Sequence, residues 1–314
     1  MGPNIKEEFQ LKNFGLGHNK PKEFVSSQWG CPTLYILWRV CWPLYHFGWI
    51  IASGVLNFQW ASSEENRVKW FIYLTNWTYF MLTVETIVEA IILIYVRIWR
   101  KDIVQGLNKD MPWFLKLLWI LYNIATTASF IVTALYWSMI FKASKGVNPV
   151  SLAVHGINSV YVFLNLFITA VPNRILHFYQ PVIYGIIYTV FTAVYHAANG
   201  TNMRDQPYVY SVLNWDKPTK TIIMAIISTF IAIPIMHLFV YLLYFIRVSV
   251  YHQCRNRKEQ CKIEDQKENG SHKNGQLKKS GDNNFDNGGY IEKSSMNGKV
   301  TEQNSKTNLI IDKF

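Results

Sequence analysis

Two residues of this 314-residue chain, Thr75 and His155, carry the hydroxyl and the imidazole that nucleophilic catalysis combines. Thr75 lies about five residues inside an apolar run that begins at Trp70, and His155 lies about five residues inside a run that begins at Val150. If both runs are helices that enter a membrane from one face, both side chains lie about 7 to 8 Å below it, at ~1.5 Å per residue. His155 is then placed to activate Thr75 for attack on a carbonyl carbon.

Another interpretation treats these groups as hydrogen-bond partners between helices. The polar residues of the later run recur at helical spacing and must face the interior of a bundle; they are His155, Asn158, Asn165 and Thr169. His196 lies near the outer end of the next run and is expected to join the same layer. Interhelical hydrogen bonds of this kind are common in membrane bundles, so the spacing alone leaves both interpretations open.

An ester hydrolase also needs a hydrogen-bond donor for the oxyanion that forms during acyl transfer. The candidate donors near the two residues are the side chains of Asn76, Asn158 and Trp77. The sequence does not choose among them. Because no acidic residue lies at that depth, we predict a Thr/His dyad in which His155 acts first as general base and then as general acid.

Three charged residues inside apolar runs predict a buried ion pair. Arg39 lies about six residues from the inner end of the first run, and Glu89 lies at a matching depth in the second, with Glu85 one turn away. Ionisable groups inside a membrane are costly unless they are paired. We therefore expect Arg39 to pair with Glu89 or Glu85 as a clamp that orients the first two helices, in preference to an ion path.

The composition is that of a multi-pass membrane protein. Half of the residues (50%) are apolar and only 16% are charged, and apolar runs of about 20 residues are long enough to cross a hydrocarbon core of ~30 Å. We predict an all-α bundle of six transmembrane helices over residues 34–56, 70–95, 113–141, 150–171, 181–198 and 219–245. These runs are apolar on every face, which excludes the alternation of a spanning barrel.

Basic residues predict the orientation of the bundle. The N-terminal segment, the second and fourth loops and the start of the tail carry 14 Lys and Arg, against 6 in the other three loops. By the positive-inside rule both termini are cytosolic. The predicted organisation is a cytosolic segment over residues 1–30, a transmembrane domain over 31–250 and a disordered cytosolic tail over 251–314, whose polar composition cannot form a core.

The net charge of +11 arises mainly in loops and tails beside apolar runs, so topology explains it and no nucleic-acid partner is expected.

The four cysteines are scattered and predict no metal site or disulfide framework, and no cofactor is expected. Cys254 and Cys261 follow the last span and are candidates for palmitoylation. The sequon that begins at Asn199 lies in a predicted outer loop and is a candidate for glycosylation.

Three long blocks have an unusual composition: EFQLKNFGLGHNKPKEFVSSQW, HGINSVYVFLNLFITAVPNRILHFYQPVIYGIIYTVFTAVYHAANGTN and VLNWDKP. They closely resemble the rolling stone family of animal membrane proteins, and the resemblance covers nearly all of residues 8–250. It implies a multi-pass protein that acts in cell-surface interaction, in cell fusion such as myoblast fusion, or in signalling. It also implies the plasma membrane in preference to the endoplasmic reticulum, with protein partners at the cell surface or on the cytosolic tail.

Two shorter motifs, KWFIYLT at Thr75 and HGIN at His155, are similar to motifs of the androgen-induced family of six-span membrane hydrolases. That resemblance implies hydrolysis of fatty acid esters of hydroxy fatty acids, with the Thr as nucleophile and the His as its partner. The implied partners are membrane lipids and a lipid-ester substrate. An interaction protein and a lipid-ester hydrolase are therefore the two functions that the sequence supports.

Overall fold

Helices account for nearly all of the regular structure. The computed structural model describes residues 5–56, 61–141 and 147–280, with side chains from residue 6 to residue 262. Within these ranges the chain forms six long helices and no β-strand, although one isolated antiparallel bridge joins Ser27 to Thr169. The predicted all-α fold is confirmed.

The long helices follow the predicted order along the chain. Helix α1 spans Pro32–Leu56, α2 spans Leu74–Trp99, α3 spans Trp113–Ile140, α4 spans Pro149–Ile168, α5 spans Ile175–Ala197, and α6 begins at Pro218. We call the end that carries the α1–α2, α3–α4 and α5–α6 connections the outer end, following the predicted orientation. The opposite end is the inner end.

By length and composition, five of the helices, α2 to α6, can cross a membrane. Helix α1 has 25 residues and is long enough as well, but it contains Arg39, Pro43 and His46, which lower its hydropathy. All three of these side chains are buried, so α1 is an integral part of the bundle. The chain is thus a multi-pass membrane protein, with the six helices that the sequence predicts.

Helix α3 lies at the centre of the bundle and α6 at its periphery, since 61% of the α3 span is buried against 17% of the α6 span. Buried residues recur along α2 at intervals of three or four, and they include Thr78, Leu82, Glu85, Glu89 and Leu93. This single interior stripe places Thr78 near the outer end and Glu89 nearer the inner end.

A glycine allows α5 and α6 to approach closely. A Cβ atom at Gly185 would lie 2.7 Å from Cδ1 of Ile233 and 3.4 Å from Cγ2 of Thr229. An added Cβ would therefore require the end of the Ile233 side chain to move, so Gly185 leaves room for that side chain between α5 and α6.

Part of the N-terminal segment packs against the inner end of the bundle. Arg174 donates hydrogen bonds to the carbonyl oxygens of Gly15 and Gly17 at 2.9 and 2.8 Å. The ring of Phe24 meets Trp119 edge-on, with 5.1 Å between centroids. The segment predicted over residues 1–30 therefore contributes to the folded core of the protein.

The C-terminal tail differs in one respect from the prediction. The helix that begins at Ile233 continues through Ser280, whereas disorder was predicted from residue 251. The first compact unit of the chain ends at Arg257, and a second begins at Lys258. Lys, Glu, Gln and Arg are frequent in residues 251–268 and are good helix formers, which favours the helix in that part of the tail. Residues 281–314 lie outside the described residues, and their disorder stays a prediction.

Candidate functional site

A cavity of about 660 Å³ lies between α2, α3, α5 and α6, toward the outer end of the bundle, and is also lined by residues of the α5–α6 loop. This volume is within the range of small-molecule sites. Apolar side chains line much of it, among them Ile131, Val132, Leu135, Met224 and Ile233. Hydroxyl groups interrupt the apolar walls, among them those of Thr75, Thr78, Tyr184, Tyr188 and Tyr210.

The cavity has an apolar mouth. Met139, Ile140 and Val212 line it and are also 50%, 46% and 40% exposed. In a membrane such exposed apolar groups face lipid. Arg204, Gln206 and Ser211 also line the cavity and are exposed, so its exposed edge is polar on the side of the α5–α6 loop.

Thr75 lies in the wall of this cavity, and Tyr210 of the α5–α6 loop lines the same wall close to it. Burial raises the pKa of the Tyr210 phenol to about 12. The phenol is therefore neutral at pH 7 and cannot serve as the base that activates Thr75. Sequence reasoning missed Tyr210, because its position beside Thr75 depends on how the loop folds back over the helices.

His155 is buried but does not line the cavity. Its imidazole stacks on the ring of Tyr136, with centroids 3.6 Å apart and planes inclined by 3°, and Tyr136 itself lines the cavity. The Nδ1 atom of His155 has no hydrogen-bond partner among the described residues. No hydrogen bond joins His155 to Thr75 in the described part of the chain, so the dyad stays a prediction and requires side-chain movement.

Two of the three predicted oxyanion donors have other partners. Asn76 and Trp77 donate to backbone carbonyls in the turn before α2, at 2.7 and 2.5 Å. The side-chain oxygen of Asn158 accepts a hydrogen bond from Thr133 at 3.3 Å. None of the three predicted donors lines the cavity, and their role in catalysis stays a prediction.

His196 lies among the residues of the α5–α6 loop and not beside His155. Its Nδ1 atom is 3.1 Å from the carbonyl oxygen of Pro207, and its Nε2 atom is 3.5 Å from the carboxylate of Asp216. The expectation that it joins the layer of His155 assumed equal depth only. The loop folds back over the end of α5, where Pro207 and Asp216 contact His196.

The predicted glycosylation site is partly engaged in a contact. Asn199 is exposed and has a left-handed backbone conformation, with a φ of 57°. The hydroxyl of Thr201, which the sequon requires, accepts a hydrogen bond from Lys69 at 2.5 Å. Glycosylation at Asn199 stays a prediction, as does palmitoylation at Cys254 and Cys261, whose side chains are exposed.

The polar stripe of α4 faces the interior, as its spacing predicts. His155, Asn158, Asn165 and Thr169 are all buried. At the inner end of this stripe Arg39 pairs with Glu89, and both side chains are almost fully buried. Of the two predicted partners of Arg39, it is therefore Glu89 that forms the ion pair.

Other groups complete the surroundings of Arg39. It donates to the hydroxyls of Tyr35 and Thr169, each at 3.0 Å. Glu85, only 2% exposed, interacts electrostatically with Arg39. The hydrogen bonds and charges together hold the inner halves of α1, α2 and α4 in register.

Arg247 is a buried residue that sequence reasoning placed with the basic tail. It is 1% exposed and donates to the carbonyl oxygens of Leu166, Thr169 and Val171, at 2.9, 2.5 and 2.9 Å. A cation at this position satisfies the free carbonyls at the C-terminal end of α4 and complements its dipole. The apolar residues on both sides of Arg247 were the signal that it belongs to the bundle.

A carboxylate clasp holds the α5–α6 loop over the cavity. Asp205 accepts hydrogen bonds from Ser62 at 2.6 Å and Asn66 at 2.8 Å, and it lies 3.4 Å from Lys69. These donors come from the α1–α2 connection and the turns before α2. Asp205 therefore ties together two outer connections, one of which lines the cavity.

We expect the clasp to be sensitive to acid. The hydrogen bonds from Ser62 and Asn66 hold the pKa of Asp205 below its usual value. A lowered pKa means that the carboxylate stabilises the clasp above its unfolded pKa of about 4, and that this contribution is lost as the pH falls through the lower folded value. At neutral pH, Asp205→Asn should imitate acid and speed amide hydrogen exchange in residues 202–213. Unchanged exchange in this variant would show that Asp205 does not hold the loop.

The fold and the cavity define an α-helical multi-pass membrane protein with a potential binding site in the outer half of its bundle. Residues 2–256 match the family model described as Protein rolling stone. Protein rolling stone of Drosophila melanogaster is 30% identical over 236 residues, which cover 70% of this chain and 82% of the fly protein. The chain therefore belongs to the rolling stone family. No solved structure matches it.

Proposed function

We propose that this protein binds a lipid in the outer cavity, and that this binding serves a role in cell-surface interaction, cell fusion or signalling. The observation that carries the proposal is a cavity of about 660 Å³ that has an apolar mouth and hydroxyl groups inside. Ligand sites typically combine apolar walls with a few placed polar groups. A membrane lipid has the matching chemistry.

The main test fills the cavity. Ala128 lines it from α3 and is 9% exposed, so Ala128→Phe should occupy part of the space without altering the outer surface. The purified protein is incubated with a photoactivatable diacylglycerol, and labelled peptides are mapped by mass spectrometry. We expect Ala128→Phe to reduce labelling of residues 202–213 roughly tenfold, since the new ring takes up space that the probe needs; a tenfold loss of affinity corresponds to about 1.4 kcal/mol.

Leu117→Phe is the matched control. Leu117 lies on the same helix but is 44% exposed, so the same side chain is introduced outside the cavity. Labelling in this variant should equal that of the wild type. Equal labelling in Ala128→Phe would instead mean that the probe binds outside the cavity.

A second candidate function is hydrolysis of a lipid ester, and the position of Thr75 in the cavity wall favours it. Thr75 would attack the ester carbonyl, and His155 would accept the proton after turning away from Tyr136. A fluorophosphonate probe tests this function, because it should label Thr75 covalently. Absence of any label on the folded protein would speak for binding without catalysis.

We also propose that the protein resides in the plasma membrane with both termini in the cytosol. The support for this orientation is the excess of Lys and Arg in the N-terminal segment, the second and fourth loops and the start of the tail. Protease added to intact cells should leave a C-terminal epitope tag uncut. Cleavage of that tag would show that the C-terminus lies outside the cell and that the proposed orientation is wrong.

A further inference from the structure

The exposed edge of the cavity carries a single positive charge. Arg204 of the α5–α6 loop is exposed and is the sole charged side chain among the described residues that line the cavity. Tyr73 lines the same cavity just before α2 begins. Burial raises the pKa of the Tyr73 phenol, and the nearby charge of Arg204 lowers it. Arg204 thus gives this edge of the cavity a positive charge that a ligand can reach.

No carboxylate neutralises Arg204 in the described part of the chain. Arg204 takes part in none of the ion pairs found there, and no acidic side chain of the described residues lines the cavity. Asp205 is the next residue in sequence, but it is engaged in the clasp with the α1–α2 connection. The charge of Arg204 is therefore available to an anionic group in the cavity.

Hydrogen bonds to Asn202 fix the turn that carries Arg204. Asn202 is 6% exposed, and its Oδ1 atom accepts hydrogen bonds from the backbone N–H groups of Arg204 at 2.9 Å and Gln206 at 3.1 Å. Its Nδ2 atom donates to Oε1 of Gln206 at 3.1 Å. This bond leaves the side-chain NH₂ group of Gln206 as a second donor at the exposed edge. A carboxylate or phosphate at this edge accepts hydrogen bonds from both side chains.

The apolar wall of the cavity suits a hydrocarbon chain. Ile131, Leu135 and Met139 line it from α3, and residues four positions apart lie on one face of a helix. This row leads toward the apolar mouth, where Met139 is exposed. A ligand with one anionic end and an apolar remainder matches both parts of the cavity, whereas an uncharged lipid gains no ion pair with Arg204.

We infer that the cavity prefers an anionic lipid, whose carboxylate or phosphate pairs with Arg204 and whose hydrocarbon part lies along Ile131 and Leu135. The inference rests on the proposed lipid binding and adds the charge of the lipid. Because Arg204 is exposed to solvent, the ion pair contributes a moderate preference and not an absolute one.

The test compares two matched pairs of photoactivatable lipids on the purified full-length protein. Phosphatidic acid differs from diacylglycerol by its phosphate, and a fatty acid differs from a fatty alcohol by its carboxylate. Each probe carries the reactive group in its hydrocarbon chain. We expect at least one anionic probe to label residues 128–140 of α3 about three- to tenfold more than its uncharged counterpart. The pair that shows this preference identifies the head group.

Variants of two cations in the same loop show whether Arg204 is responsible. Arg204→Gln should bring the two members of that pair to nearly equal labelling, whereas Arg204→Lys, which keeps the charge, should retain part of the preference. Lys217→Gln is the matched control, because Lys217 is an exposed cation of the α5–α6 loop that does not line the cavity. The preference in this variant should equal that of the wild type.

The outcomes separate the two levels of the proposal. If none of the four probes labels residues 128–140, lipid binding itself fails and the inference fails with it. If the uncharged probes label as strongly as the anionic ones in both pairs, lipid binding stands and the preference for an anion is wrong. A preference that persists in Arg204→Gln, or that Lys217→Gln reduces equally, also overturns the inference. A thermal unfolding measurement on each variant confirms that a lost preference does not reflect loss of the fold.

Discussion

Replacing Arg39 by Leu should lower the free energy of unfolding by about 3 to 5 kcal/mol, because it leaves Glu89 buried without its partner. The same change removes the hydrogen bonds to Tyr35 and Thr169. Expression should fall with stability. The measurement is equilibrium unfolding of the purified protein in detergent, followed by the intrinsic fluorescence of its tryptophans.

Two further variants show whether this loss comes from the ion pair. Lys20→Leu breaks an exposed pair with Glu23, whose charged atoms lie 3.6 Å apart, and should cost at most about 1 kcal/mol. Exchanging the charges in Arg39→Glu/Glu89→Arg should restore part of the stability lost in Arg39→Leu. If the Arg39→Leu protein is as stable as the Lys20→Leu protein, the ion pair of Arg39 does not act as a clamp between the helices.

The second large effect concerns catalysis. If the cavity hydrolyses an ester, Thr75→Ala should abolish both fluorophosphonate labelling and turnover of a fatty acid ester of a hydroxy fatty acid. His155→Ala should reduce turnover by about 10² to 10⁴, the usual contribution of a general base. Thr75→Ser should keep a nucleophilic hydroxyl and hence the label.

Thr86→Ala is the control for these changes. Thr86 is a buried threonine of α2 that donates to the carbonyl of Thr83 at 2.9 Å and does not line the cavity. Its loss should leave labelling unchanged. Turnover that survives in a folded Thr75→Ala protein would exclude the proposed nucleophile, and turnover that survives only in His155→Ala would exclude the proposed base.

The helices and the buried charges could be predicted from the sequence because both follow from local rules. A run of apolar residues fixes the length of a helix, and an unpaired charge such as Arg39 requires a partner at the same depth. The spacing of His155 and Asn158 likewise identified the interior face of α4. Each of these predictions uses residues within one helix or at one level of the membrane.

The cavity could not be predicted in this way. Depth places Thr75 and His155 at one level, but it does not give the rotation of each helix about its axis, and successive residues differ by about 100°. Tyr210 reaches Thr75 through the folding of a loop, and Tyr136 covers one face of His155 through a contact between α3 and α4. Both contacts depend on tertiary packing that no local pattern encodes.

A cryo-electron-microscopy map of the protein in lipid nanodiscs tests the central claim most directly. The account predicts a bound lipid in the cavity between α2, α3, α5 and α6, with its hydrocarbon part beside Met139 and Ile140. A map in which the helices close together and side chains fill this space would contradict it.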